Sequence, residues 1–181
     1  MTVLILFEGI SDKDFFEILF ENEMRQLRDA GIKVICRDYG GRFRGFVRRL
    51  PKEITASFEI ETVDKVLIHI DSESDSPERM NTLIANITSQ LKETHRSNVF
   101  WVVIHRNLES IFLAGCLEKE RNYEVISDPK KVIKKLLRRK LNRNYLETIH
   151  AKEYAALLNK ERILLRISGA KMFQNLLTQI H

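Results

Sequence analysis

Four short apolar runs recur in the first 104 residues of the chain, with little polar alternation inside them. They are rich in Val and Ile and cover Val3–Phe7, Lys33–Cys36, Val66–Ile70 and Val99–Ile104. Strands that are apolar on both sides are typical of parallel sheets, whose two faces are both buried. The pattern therefore predicts four parallel strands.

The segments between these strands have the apolar spacing of amphipathic helices. Ser11 is placed to cap the first helix, which we expect to run to about Asp29. We expect the second helix to begin near Phe43 and to end before Pro51, and Pro77 to open the third. This alternation predicts an α/β fold of the Rossmann-like type, with a central parallel sheet of about four strands flanked by helices.

After Ile104 the pattern changes to helices alone. They are predicted at Leu108–Leu117, Pro129–Leu141, Ala151–Asn159 and Gly169–Gln179. No Pro-, Gly- or Ser-rich linker separates them from the strands. We therefore predict a core over residues 1–117 and a basic helical extension over residues 118–181 that packs on this core.

The net charge differs between the two parts of the chain. Residues 1–120 hold 16 Lys and Arg against 20 Asp and Glu, a net charge of −4, whereas residues 121–181 hold 14 against 5, a net charge of +9. An acidic part joined to a basic part suggests a polyanionic partner, with metal cations between the two. Ordinary Lys-rich helix surfaces are the alternative explanation.

The two cysteines, Cys36 and Cys116, lie in apolar stretches, so we expect buried structural thiols rather than a disulfide framework. No stretch is long and apolar enough to span a membrane, and the N-terminus lacks the charged region of a signal peptide. These features favour a cytoplasmic protein.

Acidic residues follow three of the four predicted strands. The candidates are Glu8, Asp12, Asp71, Glu73, Asp75 and Glu109. Because the ends of parallel strands meet at one edge of a sheet, we expect these carboxylates to share a cleft. Taken singly, each has a simpler explanation, such as a favourable charge in the first turn of a helix or a solvated capping loop.

Carboxylates crowded into a cleft must take up protons or bind a cation. Hard divalent ions prefer oxygen ligands, and no Cys or His spacing here is typical of zinc, so Mg²⁺ or Mn²⁺ is the expected ion. Two such ions about 4 Å apart can hold the attacking water and the leaving oxygen in phosphodiester cleavage.

The motifs FEGISD, after the first strand, and IDSESD, after the third, resemble the Toprim domain of topoisomerases, bacterial primases and small nucleases. Asp12, four residues after Glu8, and the later Glu109 are more similar to the overcoming-lysogenization-defect (OLD) nucleases and to small stand-alone Toprim proteins. The resemblance covers about residues 1–115. One position departs from it, because Glu73 stands where the family pair has Asp, and Asp75 is an alternative ligand.

The resemblance implies a Toprim-like catalytic core that binds Mg²⁺ or Mn²⁺ and acts on phosphodiester bonds. It implies that Glu8 is a metal ligand or a general acid/base, and that Asp71 and Glu73 hold metal. Asp12 and Glu109 would complete a two-metal site.

Basic residues lie in three further segments. The stretch YGGRFRGFVRRL leaves the same sheet edge as the acids, and eight of the fourteen residues 130–143 are Lys or Arg. Lys171 resembles the basic residue that OLD-type nucleases carry beyond their acids, where it would stabilise transition-state charge. The candidate phosphate-binding residues are Arg42, Arg44, Arg48, Arg49, Lys134, Lys135, Arg138 and Arg139.

We therefore expect a metal-dependent nuclease of DNA or RNA, in a defence or nucleic-acid-processing system. The alternatives are a Toprim-type ribonuclease of RNA maturation and a non-catalytic nucleic-acid-binding regulatory protein. The chain has no P-loop, so an ATPase partner would be a separate protein. Whether the chain acts alone or as a homodimer stays open.

Overall fold

Four parallel strands form one sheet in the computed structural model, which describes residues 1–40, 43–73, 75–118, 122–141 and 152–180. The strand order is β2-β1-β3-β4. The strands are β1 (Thr2–Phe7), β2 (Lys33–Asp38), β3 (Lys65–Asp71) and β4 (Val99–Ile104). The predicted α/β fold with a central four-stranded parallel sheet is confirmed.

Helices flank both faces of this sheet and continue beyond it. In chain order they are α1 (Ile10–Leu19), α2 (Glu21–Asp29), α3 (Phe43–Glu59), α4 (Pro77–Ser89), α5 (Glu93–Arg96), α6 (Leu108–Cys116), α7 (Pro129–Leu141), α8 (Lys160–Arg166) and α9 (Ser168–Gln179). Residues 152–155 are also helical, within the stretch predicted from residue 151, which itself lies outside the described residues. Among the described helices, none has the length and apolar composition needed to cross a bilayer.

The first predicted helix is in fact two helices that meet at Phe20. Phe20 is fully buried, and its ring packs 5.0 Å from that of Phe173 in α9. The bend at Phe20 thus accompanies a contact distant in sequence. The predicted cap is also wrong, because Gly9 occupies the N-cap and Ser11 is a buried residue of the first turn.

The second predicted helix does not stop at Pro51, since α3 continues to Glu59. A proline inside a helix costs about 3 kcal/mol, because it removes one backbone hydrogen bond and crowds the preceding turn. Beyond Pro51, Ile54 is fully buried and Phe58 packs against the same core. Burying such side chains contributes about 1.5–3 kcal/mol each, which offsets that cost.

Two hydrophobic clusters lie on opposite faces of the sheet. Ile5 and Phe7 of β1 point into the cluster formed with α1, α2, α6 and α9, while Leu4 and Leu6 point into the cluster formed with α3 and α4. Side chains of the C-terminal helices, such as Phe173, belong to the first cluster. The described part of the extension therefore shares a core with the sheet.

A partly buried ion pair also joins the extension to the first part of the chain. The Nζ of Lys160 in α8 lies 2.6 Å from both carboxylate oxygens of Glu23 in α2, and the amide of Gln174 in α9 donates to one of them at 2.7 Å. Burial alone would raise the pKa of Glu23, but these hydrogen bonds outweigh it and lower the pKa. Glu23 is therefore ionised at neutral pH and fixes both helices on α2.

The expectation of buried thiols is wrong for Cys116, which is exposed at the end of α6, while Cys36 is half-buried. Cys116 occupies the last helical turn, where α6 leaves the core, and borders an apolar cavity of about 280 Å³. Burial raises the pKa of Cys36 to about 12.

Gly169 permits the close approach of α9 to β4. A Cβ atom at this position would lie 2.3 Å from the carbonyl oxygen of Val103 and 2.6 Å from the Cδ1 of Ile104. The first turn of α9 therefore packs directly on the backbone at the end of β4, and only glycine fits there.

We predict that Gly169→Ala lowers the free energy of unfolding by about 1–3 kcal/mol, because the added methyl group overpacks this contact. Gly45→Ala is the matched control. It lies inside α3, and a Cβ there meets nothing within 4 Å, so the protein should be unchanged or slightly more stable. Urea unfolding of the three proteins measures both effects, and equal stability of Gly169→Ala and the wild type would contradict the packing argument.

Candidate metal centre

Three strand ends bring acidic residues to one edge of the sheet. Glu8 directly follows β1, Asp71 is the last residue of β3, and Glu109 lies in the first turn of α6, just after β4. Strand β3 lies between β1 and β4, and all three run in the same direction. The carboxylates are therefore at the carboxyl-terminal edge, where open α/β sheets bind ligands.

Asp71 is the centre of this cluster. Burial raises the pKa of its carboxyl group well above the usual value, and the negative charges of Asp12, Glu8, Glu73 and Glu109 raise it further. Its Oδ1 is enclosed and has no hydrogen-bond partner among the described residues. Four of the predicted metal ligands therefore lie close enough to Asp71, the fifth, to disfavour its ionised form. A bound cation would relieve this repulsion.

Asp75, the remaining predicted ligand, has a different partner. Its Oδ1 lies 3.5 Å from the Nη1 of Arg79, one turn further along the chain in α4. Glu73 is instead one of the charges that raise the pKa of Asp71. This placement favours Glu73 over Asp75 as the second acid of the IDSESD motif.

Hydrogen bonds connect the loop that follows β3 to the loop that follows β4. Ser72 donates its N–H to the carbonyl of Ile104 at 2.9 Å, and its hydroxyl accepts from the N–H of Arg106 at 3.1 Å. The N–H of Glu73 donates to the carbonyl of Arg106 at 2.8 Å. Both Glu73 and Arg106 have left-handed backbones, with φ of 54° and 76°. Such conformations cost about 1–3 kcal/mol in non-glycine residues and persist where the surroundings enforce them, commonly at functional sites.

His69 is a member of the site that the sequence did not single out as a ligand. Ligand atoms of Asp12, His69 and Asp71 all lie within 4.8 Å of one another. Burial lowers the pKa of His69 to about 3, so the imidazole is neutral at physiological pH. Its position two residues before Asp71 on the same strand face was the available signal.

Several buried polar atoms at this edge have no hydrogen-bond partner among the described residues. Besides the Oδ1 of Asp71, they are both ring nitrogens of His69, the Oδ1 of Asn107 and the Oγ of Ser110. Buried polar atoms in folded proteins are nearly always hydrogen-bonded, and two of these residues, His69 and Asp71, belong to the group with Asp12 that could hold a metal ion. Carboxylate oxygens and a neutral imidazole are suitable ligands for a divalent metal ion.

A lysine from the basic extension reaches the acidic edge. The Nζ of Lys130, near the start of α7, lies 3.5 Å from the Oε1 of Glu109. The Glu109 side chain is only 2% exposed, whereas that of Lys130 is 46% exposed. The N-terminal end of α7 therefore lies beside the carboxylate cluster.

The candidate phosphate-binding residues are exposed wherever the structure describes them. Arg44, Arg48 and Arg49 lie on α3, and Arg42 lies outside the described residues. The exposed candidates on α7 are Lys134, Lys135, Arg138 and Arg139. Both helices therefore carry exposed cations, and of the basic residues on α7 it is Lys130 that contacts the acidic edge.

Lys171 is exposed in the first turn of α9 and borders an open basin of about 860 Å³ together with Glu124 and Arg162. Its neighbours in the motif RISGAKMF have structural partners. Arg166 donates to the carbonyls of Ala114 and Leu117 at the end of α6, and Ser168 donates to Glu124 at 2.8 Å. A catalytic role for Lys171 stays a prediction.

Comparison with known proteins shows distant structural similarities. No family model matches the chain, and no curated protein matches its sequence. The C-terminal region of the Burkholderia pseudomallei OLD protein is similar with a TM-score of 0.49 and 14% identity, over 96% of each chain. Two structures of the C-terminal region of the Xanthomonas campestris pv. campestris OLD protein are similar with TM-scores of 0.42 and 0.39 and identities of 17% and 18%. They cover 98% of this chain and 85% and 83% of those chains.

We predict that Asp71→Asn makes the metal-free protein more stable at neutral pH. A carboxyl group whose pKa is raised on folding stabilises the fold at low pH, and this stabilisation is lost as the pH rises through the raised value. The neutral amide avoids that loss. Its melting temperature in a chelator should exceed that of the wild type by about 2–4 °C for each kcal/mol of repulsion relieved. The difference should shrink as the pH approaches the ordinary Asp value of 3.8.

Adding Mn²⁺ or Mg²⁺ should reverse this order, because an ion that binds only the folded protein stabilises it by mass action. The wild type should gain stability and Asp71→Asn should gain little. The exposed Asp29→Asn is the control and should respond to metal like the wild type. Equal metal stabilisation of Asp71→Asn and the wild type would reject the site.

Proposed function

We propose that this protein is a metal-dependent nuclease that cleaves phosphodiester bonds in DNA or RNA, with a Toprim-type site. The observation that carries the proposal is the position of Asp71 at a sheet edge, partly buried with its Oδ1 enclosed, where Glu8, Asp12, Glu73 and Glu109 act on its carboxyl group. An acid set of this kind is costly to the fold without a cation, and the motifs FEGISD and IDSESD resemble those of Toprim enzymes.

Each acid has a part in this proposal. Asp71, Glu73 and Asp12 would hold a divalent cation, with Glu8 and Glu109 beside them to complete the site. When bound, such a cation neutralises phosphate charge and lowers the pKa of a bound water. The carboxylate of Glu8 would accept or return a proton during cleavage, as the Toprim resemblance implies.

The basic helix α7 would bind the phosphate backbone of the substrate and direct it to the acids. Lys130 contacts Glu109, and Lys134 and Arg138 follow it at intervals of four residues on the same face of the helix. Each interval advances about 6 Å along the helix axis. A polyanion that follows this row of charges toward the start of α7 arrives at the carboxylate cluster.

We predict that Asp71→Asn abolishes cleavage while nucleic-acid binding stays the same or becomes tighter. The substitution removes negative charge beside the bound phosphate and weakens the hold on the cation. Labelled single- and double-stranded DNA and RNA, incubated with Mg²⁺, Mn²⁺ or a chelator, give the cleavage, and filter binding gives the affinity. Asp29→Asn should cleave like the wild type. Cleavage that persists in the chelator, or in Asp71→Asn, would contradict the proposed function.

We predict that changing Lys134, Lys135, Arg138 and Arg139 to Gln weakens binding to all sequences alike. If all four residues contact duplex phosphates, the slope of log K against log[salt] should fall by about 3.6, from about 0.9 per contact. Binding titrations at several salt concentrations measure this slope.

The control variant has the same net charge, but its four substitutions lie outside α7. Changing Arg25, Arg28, Lys33 and Lys92 to Gln also lowers the formal net charge from +5 to +1, at exposed positions on α2, β2 and the start of α5. Its salt slope should stay close to that of the wild type. If both variants lose the same slope, α7 contributes only its net charge and is not a specific phosphate-binding surface.

A further inference from the structure

His69 occupies an unusual position for a buried histidine. The residue is 1% exposed, and its ring packs 4.3 Å from the centroid of Phe16 and 5.4 Å from that of Phe7. Neither ring nitrogen has a hydrogen-bond partner among the described residues. A phenylalanine would fill such an aromatic environment without leaving two polar atoms unsatisfied, so packing alone does not account for the imidazole.

Two carboxylates near the ring would allow one of these nitrogens to bind a metal ion together with them. A ligand nitrogen of His69 lies within 4.8 Å of carboxylate oxygens of Asp12 and Asp71. Ligands at opposite sides of one metal ion are about 4–4.5 Å apart, since each lies about 2.0–2.2 Å from it. The three side chains are therefore close to the separation at which they bind the same ion.

The identity of the ligands determines which ions such a site prefers. Mg²⁺ is bound through oxygen and keeps several waters, whereas imidazole nitrogen suits transition ions such as Fe, Ni, Cu and Zn. Mn²⁺ is the transition ion that also suits carboxylate and water ligands. A site with two carboxylates and one imidazole therefore favours a transition ion more than a site made of carboxylates alone.

We propose that Asp12, His69 and Asp71 form a mixed nitrogen and oxygen site that binds Mn²⁺ in preference to Mg²⁺. This inference rests on the metal-binding part of the proposed function and assigns to it a transition ion and a nitrogen ligand. It does not depend on whether the protein cleaves nucleic acid.

The test is electron spin-echo spectroscopy of Mn²⁺ bound to the wild type and to His69→Phe, without nucleic acid. Directly bound imidazole gives a ¹⁴N modulation, which we expect in the wild type and not in the variant. Calorimetric titration should show a loss of Mn²⁺ affinity of about 10–100-fold in His69→Phe, the scale of ligand-environment changes in metal sites. The Mg²⁺ affinity should change little.

Phenylalanine suits the position between Phe7 and Phe16, so the variant is expected to fold, and its melting temperature in a chelator checks this. His69→Gln provides a second variant that keeps a polar side chain and should also lose the ¹⁴N modulation. His95→Phe is the matched control, because the Nδ1 of His95 is also buried without a hydrogen-bond partner in the described part of the chain, and its ring stacks on Phe58 at 4.6 Å, outside the carboxylate cluster. It should keep both the modulation and the Mn²⁺ affinity.

The outcomes separate this inference from the proposed nuclease function. Mn²⁺ that binds the wild type without ¹⁴N modulation, or equal losses of Mn²⁺ and Mg²⁺ affinity in His69→Phe, would overturn the nitrogen ligand while leaving metal-dependent cleavage intact. A ¹⁴N modulation in a protein that cleaves none of the substrates would support the mixed site and reject the nuclease.

Discussion

Electrostatic repulsion around Asp71 is the constraint on which the structure of the acidic edge depends. The Asp71 side chain is partly buried with its Oδ1 enclosed, and the loss of hydration together with the charges of Asp12, Glu8, Glu73 and Glu109 raises its pKa. The fold nevertheless holds Asp71 at the end of β3, flanked by β1 and β4 in a parallel sheet. Folded proteins keep such an arrangement when the repulsion is relieved by a ligand, and a divalent cation is the ligand that several carboxylates favour.

The neighbouring backbone keeps these charges together. Hydrogen bonds between the loops after β3 and β4 fix Ser72, Glu73 and Arg106, two of them in left-handed conformations. The positions of Asp71 and Glu73 therefore depend on a loop that approaches them from another strand. A site built in this way is preorganised, because the cost of holding its ligands close is met during folding rather than on binding.

The helical extension is tied to the core at three kinds of contact. Phe173 packs in the hydrophobic cluster on one face of the sheet, Gly169 allows α9 to touch β4, and Lys160 forms a partly buried ion pair with Glu23. Lys130 then reaches Glu109 from α7. The basic surface proposed to bind phosphates thus adjoins the acids proposed to bind metal.

The four parallel strands, and the edge at which the acids lie, follow from the residue pattern alone. A strand that is buried on both faces appears in the sequence as an unbroken apolar run. A carboxylate that directly follows a parallel strand must lie at the carboxyl-terminal edge of the sheet. These two features predict that Glu8, Asp71 and Glu109 lie at the same edge, where the structure has them. The bounds of α7 were also predictable, because both its apolar spacing and its exposed cations are visible in the sequence.

Other features depend on contacts between residues that are distant in sequence, and these contacts exist only in the folded chain. The break at Phe20 accompanies packing on Phe173, and the continuation of α3 past Pro51 depends on the core that receives Ile54. The ion pair of Asp75 with Arg79 and the effect of the Glu73 charge on Asp71 are also visible only in the fold. His69 became a candidate ligand because α1 brings Asp12 to the end of β3. Whether two such side chains come close depends on how the helix packs on the sheet. Local residue patterns do not determine this packing.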